Sequence, residues 1–446
     1  MTITFHWNRN HLFDRAIVTI LFESCLSAKT AKVSKVQRKP TSKWKPLPLT
    51  TVEFQKMATT FLHMNSADAL RHAESLYQKG FISYPRTETD RFDKGMNLKA
   101  LVEKQTHDNR WGQFAQNLVD GAFQWPREGR NDDKAHPPIH PVASCSPGAL
   151  NNDDANRVYE FITRRFLACC SQDAQGTATD VEIEFGYETF HTHGLIVQAR
   201  NYLDVYPYDI WTGNLLPTFT LGERFEPTEA RMTAGETSSP GYLTEPDLIA
   251  LMDANGIGTD ATMAEHISKI KERGYVKTRP RGWGRAAAND RDDDAPGGGR
   301  GGRGGRGGRG GRGGVAARGH GRGGMEEFIP TTLGVALVEG YDNVGFETSL
   351  SKPFLRKEME LRMKDICEGR KTREQVVSES LRQFKLVYNQ TEERIGVLKA
   401  VGSLILLRGG IFTNHAYTPS PAESTFSQPV SAGTGRTEAS HILTKE

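Results

Sequence analysis

Gly80-Phe-Ile-Ser-Tyr-Pro-Arg-Thr-Glu-Thr-Asp90 sets a tyrosine two residues before an arginine on a segment that its own proline stiffens. Pro85 fixes its own φ and pushes Tyr84 toward the extended region, so backbone stiffness holds the phenol. Residues two apart in a strand share a face, which predicts Ile82, Tyr84 and Arg86 on one side and Phe81 and Ser83 on the other. Upstream, Asn65 or Ser66 is placed to cap a helix whose Ala69, Leu70, Ala73, Leu76 and Tyr77 recur at helical spacing, and Gly80 supplies its stop. A phenol ordinarily titrates near about 10, so attack on phosphorus needs help to shed that proton and to neutralise the phosphate. Arg86, a planar bidentate fork, suits the second task. Taken alone, Tyr-Pro-Arg also describes a half-buried strand aromatic with an ordinary hydroxyl partner.

Four further segments stand in order behind the first: Asp133-Lys-Ala-His136-Pro-Pro-Ile-His140-Pro, Phe166-Leu-Ala-Cys-Cys-Ser-Gln-Asp-Ala-Gln-Gly176, Ala199-Arg-Asn-Tyr-Leu-Asp-Val-Tyr-Pro-Tyr208, and the stretch from Leu243 through Asn255-Gly-Ile-Gly-Thr-Asp-Ala-Thr262. With them, the Tyr84 string resembles the active-site motif of the type IA DNA topoisomerases. The set is similar to the eukaryotic topoisomerase III group, nearer its alpha form, from about Phe5 to residue 395 with one insertion. The resemblance implies that Tyr84 breaks one DNA strand and keeps a 5′-phosphotyrosyl link. Another strand passes through the gap, and the free 3′-hydroxyl then reverses the reaction. The link conserves the phosphodiester energy, so no ATP is required, and no Gly-x-x-x-x-Gly-Lys-Ser/Thr loop is present to cradle a triphosphate.

By the same resemblance Arg86 positions or stabilises the scissile phosphate, and His136 matches a family histidine near the active site. His136 and His140 flank Pro137 and Pro138, a stiff loop that can aim imidazoles at phosphate; two solvated loop histidines are the alternative. Lys134 and His140, with Arg303, Arg306 and Arg309, are the candidate DNA contacts. The family also carries an N-terminal Toprim domain whose acidic cluster binds magnesium. This chain is expected to begin downstream of it, so Mg2+ is expected through a domain not in the sequence and no residue here is assigned as a metal ligand. Asp290-Arg-Asp-Asp-Asp294 contains Asp-x-Asp but lacks a preceding apolar strand, and is rejected as a metal site. The implied partners are DNA, chiefly single-stranded, a RecQ-type helicase and an OB-fold protein, and the implied location is the nucleus. Two other roles fit the same residues: a non-catalytic single-stranded DNA-binding module, or a scaffold of a helicase–topoisomerase complex.

Composition bounds the rest. The chain has 446 residues, 37% of them hydrophobic, enough for two or three domains with real cores. Its net charge of +3 includes seven arginines between Gly297 and Gly324, so the remainder carries −4 and bulk charge does not argue that the folded part binds DNA. Arg157, Arg164 and Arg165 in one helix and Lys269, Lys271 and Arg273 in another are local basic clusters, each also readable as a solvated face. Five scattered cysteines, an odd number, argue for a reducing compartment, and the adjacent Cys169 and Cys170 are assigned to helix packing rather than to a bridge or zinc. The apolar run Ala16–Phe22 is too short to span a bilayer, and a buried strand or helix is expected there.

The expected architecture is multidomain α+β, the central region of a type IA topoisomerase. Residues 1–50 and 176–240 form the two parts of a β-rich arch, the second marked by alternation at Val181, Ile183 and Phe185. Residues 51–175 form a helical domain around Tyr84. Residues 241–400 form a winged-helix-like DNA-binding domain, with helices capped at Thr244 and at Thr259 or Asp260 and Gly256 and Gly258 turning between them. Its hairpin strands, Gly274–Thr278 and Glu327–Pro330, are separated far beyond ordinary hairpin length, which makes 282–324 an insertion. Gly-Gly-Arg repeats cannot bury a core, so the insertion reads as disordered, able to grip phosphates through arginine without aromatic stacking. The Ser/Thr/Pro/Gly-rich tail, 401–446, is also expected to be disordered.

Overall fold

The computed structural model describes residues 2–146, 148–260, 262–281, 325–345, 350–397, 399–400 and 437–445. The Gly/Arg insertion, including Arg303, Arg306 and Arg309, lies outside the described residues. The chain divides into two compact units: residues 1–49, 76–241 and 413–446 form one, and residues 50–75 and 242–412 the other.

The first unit is built on a seven-stranded antiparallel sheet in the order Arg224–Phe225, Ala31–Lys43, Ala174–Phe185, Glu188–Ala199, Ile3–Trp7, Thr437–Lys445, Glu229–Glu236. The register Ile183↔Phe190 and Val33↔Ile183 puts alternate residues on one buried face. Phe5, Trp7, Val33, Val181, Ile183 and Phe190, each at most 1% exposed, make its core. This is the alternation seen in the sequence, because period two delivers every second side chain to one side of a pleated strand. Arg15–Ala28 is a helix rather than a strand, capped by Asp14 accepting from the amides of Ala16 and Ile17. It buries only Val18 and Cys25 and leaves Ile20 65% exposed, so the expectation of a buried element holds for one narrow stripe alone.

Two sequence expectations change here. Thr437–Lys445, placed by sequence in a disordered tail, forms a strand between Ile3–Trp7 and Glu229–Glu236, whose amides and carbonyls pair with its backbone. Residues 51–75, read as the start of the tyrosine-bearing domain, group instead, with Thr50, with 242–412. The reason is packing: Val52, on the helix Thr51–Met57, lies against the cluster of Ile249, Met252, Met263, Ile267 and Phe328.

In that second unit, the helix Glu245–Ala254 begins with a capping box. Asp247 accepts from the amide and hydroxyl of Thr244, and those bonds hold its carboxyl below the usual carboxylate range. The helix Met263–Glu272 follows the Gly256 and Gly258 turns, both at positive φ. Val276–Pro280 pairs with Glu326–Pro330 in register Thr278↔Phe328, so two strands with 45 residues between them close one ladder. The helices Thr332–Val344, Phe354–Cys367 and Arg373–Glu393 follow in the same unit. Glu245, 7% exposed, accepts from the amide of Ser66 at 2.8 Å and from its hydroxyl, tying the start of Ser66–Gln78 to this helix.

Candidate active site

Ser66–Gln78 delivers the chain to Tyr84. Asn65 caps it, accepting from the Asp68 amide at 2.8 Å. Gly80, at φ 77°, turns the chain out, with its amide on Tyr77 O and the Phe81 amide on Leu76 O. A side chain here would strain a left-handed turn, which is why the stop is a glycine.

The segment that follows is extended, but it is not the strand expected from sequence. One antiparallel bridge, Ile82↔Pro141, carries it: Ser83 N donates to His140 O at 2.9 Å and Val142 N to Phe81 O at 2.8 Å. The ladder goes no further, because Pro85 on one side and Pro137, Pro138 and Pro141 on the other have no amide proton to donate. Side chains take over: Ser83 Oγ donates to Pro138 O and accepts from His140 N.

Tyr84 is half-buried. Its ring lies 5.2 Å from that of Tyr77, edge-on at 70°, and 4.7 Å from the imidazole of His136, tilted at 41°. Arg86 is half-buried two residues on. Tyr84 and His136 are therefore brought together although 52 positions separate them.

Asp133 makes that meeting possible. Its carboxylate accepts from Thr87 Oγ1 at 3.0 Å and from the amides of Glu88, Ala135 and His136 at 3.3, 2.8 and 2.9 Å. Thr87 Oγ1 also reaches His136 O, and the Asp133 amide donates to Thr89 Oγ1. Burial by itself would raise the Asp133 pKa, but the amides of His136 and Ala135 and the hydroxyls of Thr87 and Thr89 outweigh it and hold the carboxyl at about 2. One carboxylate thus clamps the residues after Tyr84 to the loop that carries His136. A second tie runs from Asp90 to the amides of Asn131 and Gly129, and a Cβ on Gly129 would fall 2.0 Å from Asp90 Cγ.

The other candidates separate. Lys134 is exposed beside His136, at φ 57° with its amide on Asp132. His140 is a correction: it is 4% exposed, with Nδ1 donating to Pro138 O at 2.6 Å and its ring against Phe92 and Phe166. Burial lowers its pKa and keeps it neutral, so it braces the loop and does not face a phosphate. Arg165 of the basic helix is likewise buried, donating to Leu47 O and Tyr206 Oη. Cys169 and Cys170 are buried free thiols, in accord with packing.

Sequence reasoning passed over Asp133, Thr87 and Tyr77 as site residues. Asp133-x-x-His136 carries one usable signal, since an Asp accepting amides two and three residues on is a local turn former. Thr87 carried none, because its partner lies 46 residues away.

Known proteins resemble the chain over most of its length. Residues 2–284 match the family model described as DNA topoisomerase. The chain is 46% identical to DNA topoisomerase 3 of Schizosaccharomyces pombe over 399 residues, 89% of this chain and 58% of that protein. It is 44% identical to human DNA topoisomerase 3-alpha over 86% of this chain and 34% of that one. These spans place the chain at between a third and three-fifths of the relatives' length. A solved structure of full-length topoisomerase I from Thermotoga maritima superposes with TM-score 0.59 at 19% identity, covering 88% of this chain and 60% of that one, and shows the shared fold.

Proposed function

The chain belongs to the DNA topoisomerase family, in its type IA topoisomerase III group, and from that premise we propose that Tyr84 is the nucleophile of an ATP-independent strand breakage and resealing on single-stranded DNA. The observation that carries this reading is the half-buried Tyr84 ring held against His136, on a segment that proline stiffens and Asp133 anchors. Positioning of this kind removes orientational freedom before the chemistry begins.

In the proposed step Tyr84 Oη bonds to phosphorus, the P–O3′ bond breaks, and the phenolic proton is lost as the departing oxygen gains one to become a 3′-hydroxyl. Nothing is oxidised or reduced, and resealing is the same exchange in reverse. Arg86 supplies a fork of donors for the charge on the scissile phosphate, and His136, whose ring lies against the phenol, a further donor. Among the described residues no group of three or more His, Cys, Asp or Glu could hold a metal ion. Magnesium therefore enters this proposal only as an ion brought by an acidic Toprim domain, and no step is assigned to it here. The proposed outcome is relaxation of negative supercoils or resolution of recombination intermediates, in the nucleus. A RecQ-type helicase and an OB-fold protein are the proposed partners. No helix among the described residues is long and apolar enough to cross a membrane.

The test is covalent trapping. The chain is mixed with end-labelled single-stranded DNA and magnesium, with a Toprim domain supplied separately, and then denatured. The expected adduct retains a 3′-end label, because a 5′-phosphotyrosyl link keeps the downstream fragment, and Tyr84→Phe abolishes it. An adduct that survives in Tyr84→Phe, or retains only a 5′-end label, sinks the assignment.

A further inference from the structure

A 5′ link to Tyr84 leaves the nucleotides downstream of the break tethered beside Tyr84, whereas the strand ending in the 3′-hydroxyl is not held by that bond. Next to His136, a cleft of about 640 Å3 opens between residues 89–96 and 128–137. That volume lies within the range of about 300–1,000 Å3 common to ligand sites. Phe92, Met96 and Pro137 supply apolar lining, and the charged lining is mixed, with Arg91, Lys94 and Lys134 set among Asp93, Glu128 and Asp132.

The three cations are not equivalent. Arg91 is paired with Asp132 at 2.6 Å and Lys94 with Glu128 at 3.5 Å. Lys134 has no ion pair among the described residues and is exposed, on the side of the cleft that His136 shares. Its left-handed backbone is unusual for a lysine, and such conformations persist where surrounding bonds impose them, frequently at ligand sites.

We propose that this cleft holds the first nucleotides of the downstream strand, with Lys134 on the phosphodiester nearest the break, a base against the apolar lining of Phe92, Met96 and Pro137, and Arg91 able to exchange Asp132 for phosphate. The proposal rests on the reading of Tyr84 as nucleophile. Chemistry selects single-stranded DNA over a free anion, since apolar lining beside the unpaired Lys134 matches a base joined to a phosphate, whereas walls carrying three acids against three cations would not concentrate a small anion. Because one cation is free and two are already neutralised, the hold is weak and releasable, as resealing requires.

Anisotropy of a 3′-fluorescein-labelled, 5′-phosphorylated short oligothymidylate, titrated with the whole chain across a salt series, tests this. Lys134→Ala is expected to weaken binding and to reduce the slope of log K against log salt by about one. Glu128→Gln, which frees Lys94, is expected to tighten binding, and Lys35→Ala, on a lysine paired with Glu182 on the sheet, is expected to change neither. With 4-thiothymidine as the first base, photocrosslinks are expected within residues 89–96 or 128–137. Binding unchanged in both Lys134→Ala and Glu128→Gln, or crosslinks confined to other segments, overturns the cleft. Tyr84→Phe separates the two readings: binding is expected to persist in it while the covalent adduct disappears. An adduct in the wild type with binding unchanged in both Lys134→Ala and Glu128→Gln refutes the cleft alone. Lys134-dependent binding with no adduct in any mixture refutes the nucleophile, and with it the tether on which the cleft's occupant depends.

Discussion

Replacing Asp133 with alanine tests whether one carboxylate organises the site. The substitution leaves the Thr87 hydroxyl and the amides of Glu88, Ala135 and His136 without their common acceptor. A carboxyl held at about 2, against an ordinary 3.8, sets a ceiling of about 2.4 kcal/mol on the stabilisation. Asp133 is exposed, so water screens the charge and replaces part of the bonding, which reduces the expected loss to about 1 kcal/mol. Because the folded-state pKa is depressed, this stability is present above the unfolded value and is lost as pH falls from about 4 toward 2. The chain has two units and need not unfold in one step, so the readout should be local: amide hydrogen exchange over residues 84–90 and 131–137. A loss of about 1 kcal/mol corresponds to roughly fivefold faster opening. The ring of His136 should also lose its place against Tyr84, visible as a change in its ring-current-shifted proton resonances. Exchange equal to wild type at pH 7, or a difference between variant and wild type that does not narrow as pH approaches 3, would refute the reasoning.

Two further outcomes follow from buried polar groups. His140→Phe keeps the ring contacts with Phe92 and Phe166 but removes one of two donors to Pro138 O, leaving Ser83 Oγ, and should cost about 0.5–1.5 kcal/mol in denaturant unfolding. In the wild type the same residue has a lowered folded-state pKa; its contribution is complete above about pH 6.5 and declines as pH falls below it. A variant whose stability shows the same pH dependence as wild type in that window would assign it to other groups. Glu245→Ala leaves the buried Ser66 amide and hydroxyl without an acceptor and should destabilise the second unit by about 1–3 kcal/mol; protease resistance of residues 50–75 equal to wild type would contradict this.

The helix that ends at Gly80, the stiffness of the Tyr84 segment and the alternation of Val181, Ile183 and Phe185 were legible in the sequence. Each depends on residues within a few positions of one another, where backbone sterics and the periods of 3.6 and 2 operate. The hairpin interrupted by the insertion was legible for the same reason, since each strand announces itself locally. The motif around Tyr84 likewise pointed to its family, because the chemistry is written in adjacent residues. Tertiary structure decided the rest. His140 and His136 stand on one proline-stiffened loop and look alike in sequence, yet Phe92 and Phe166 enclose the first while the second meets Tyr84. Thr437–Lys445 became a strand only because a sheet edge was there to receive it. Whether a loop side chain is buried, free or set against a nucleophile depends on partners 40 to 50 residues away, as Thr87 and Asp133 show. Local propensity carries no record of such partners, since they exist only once the chain has closed on itself.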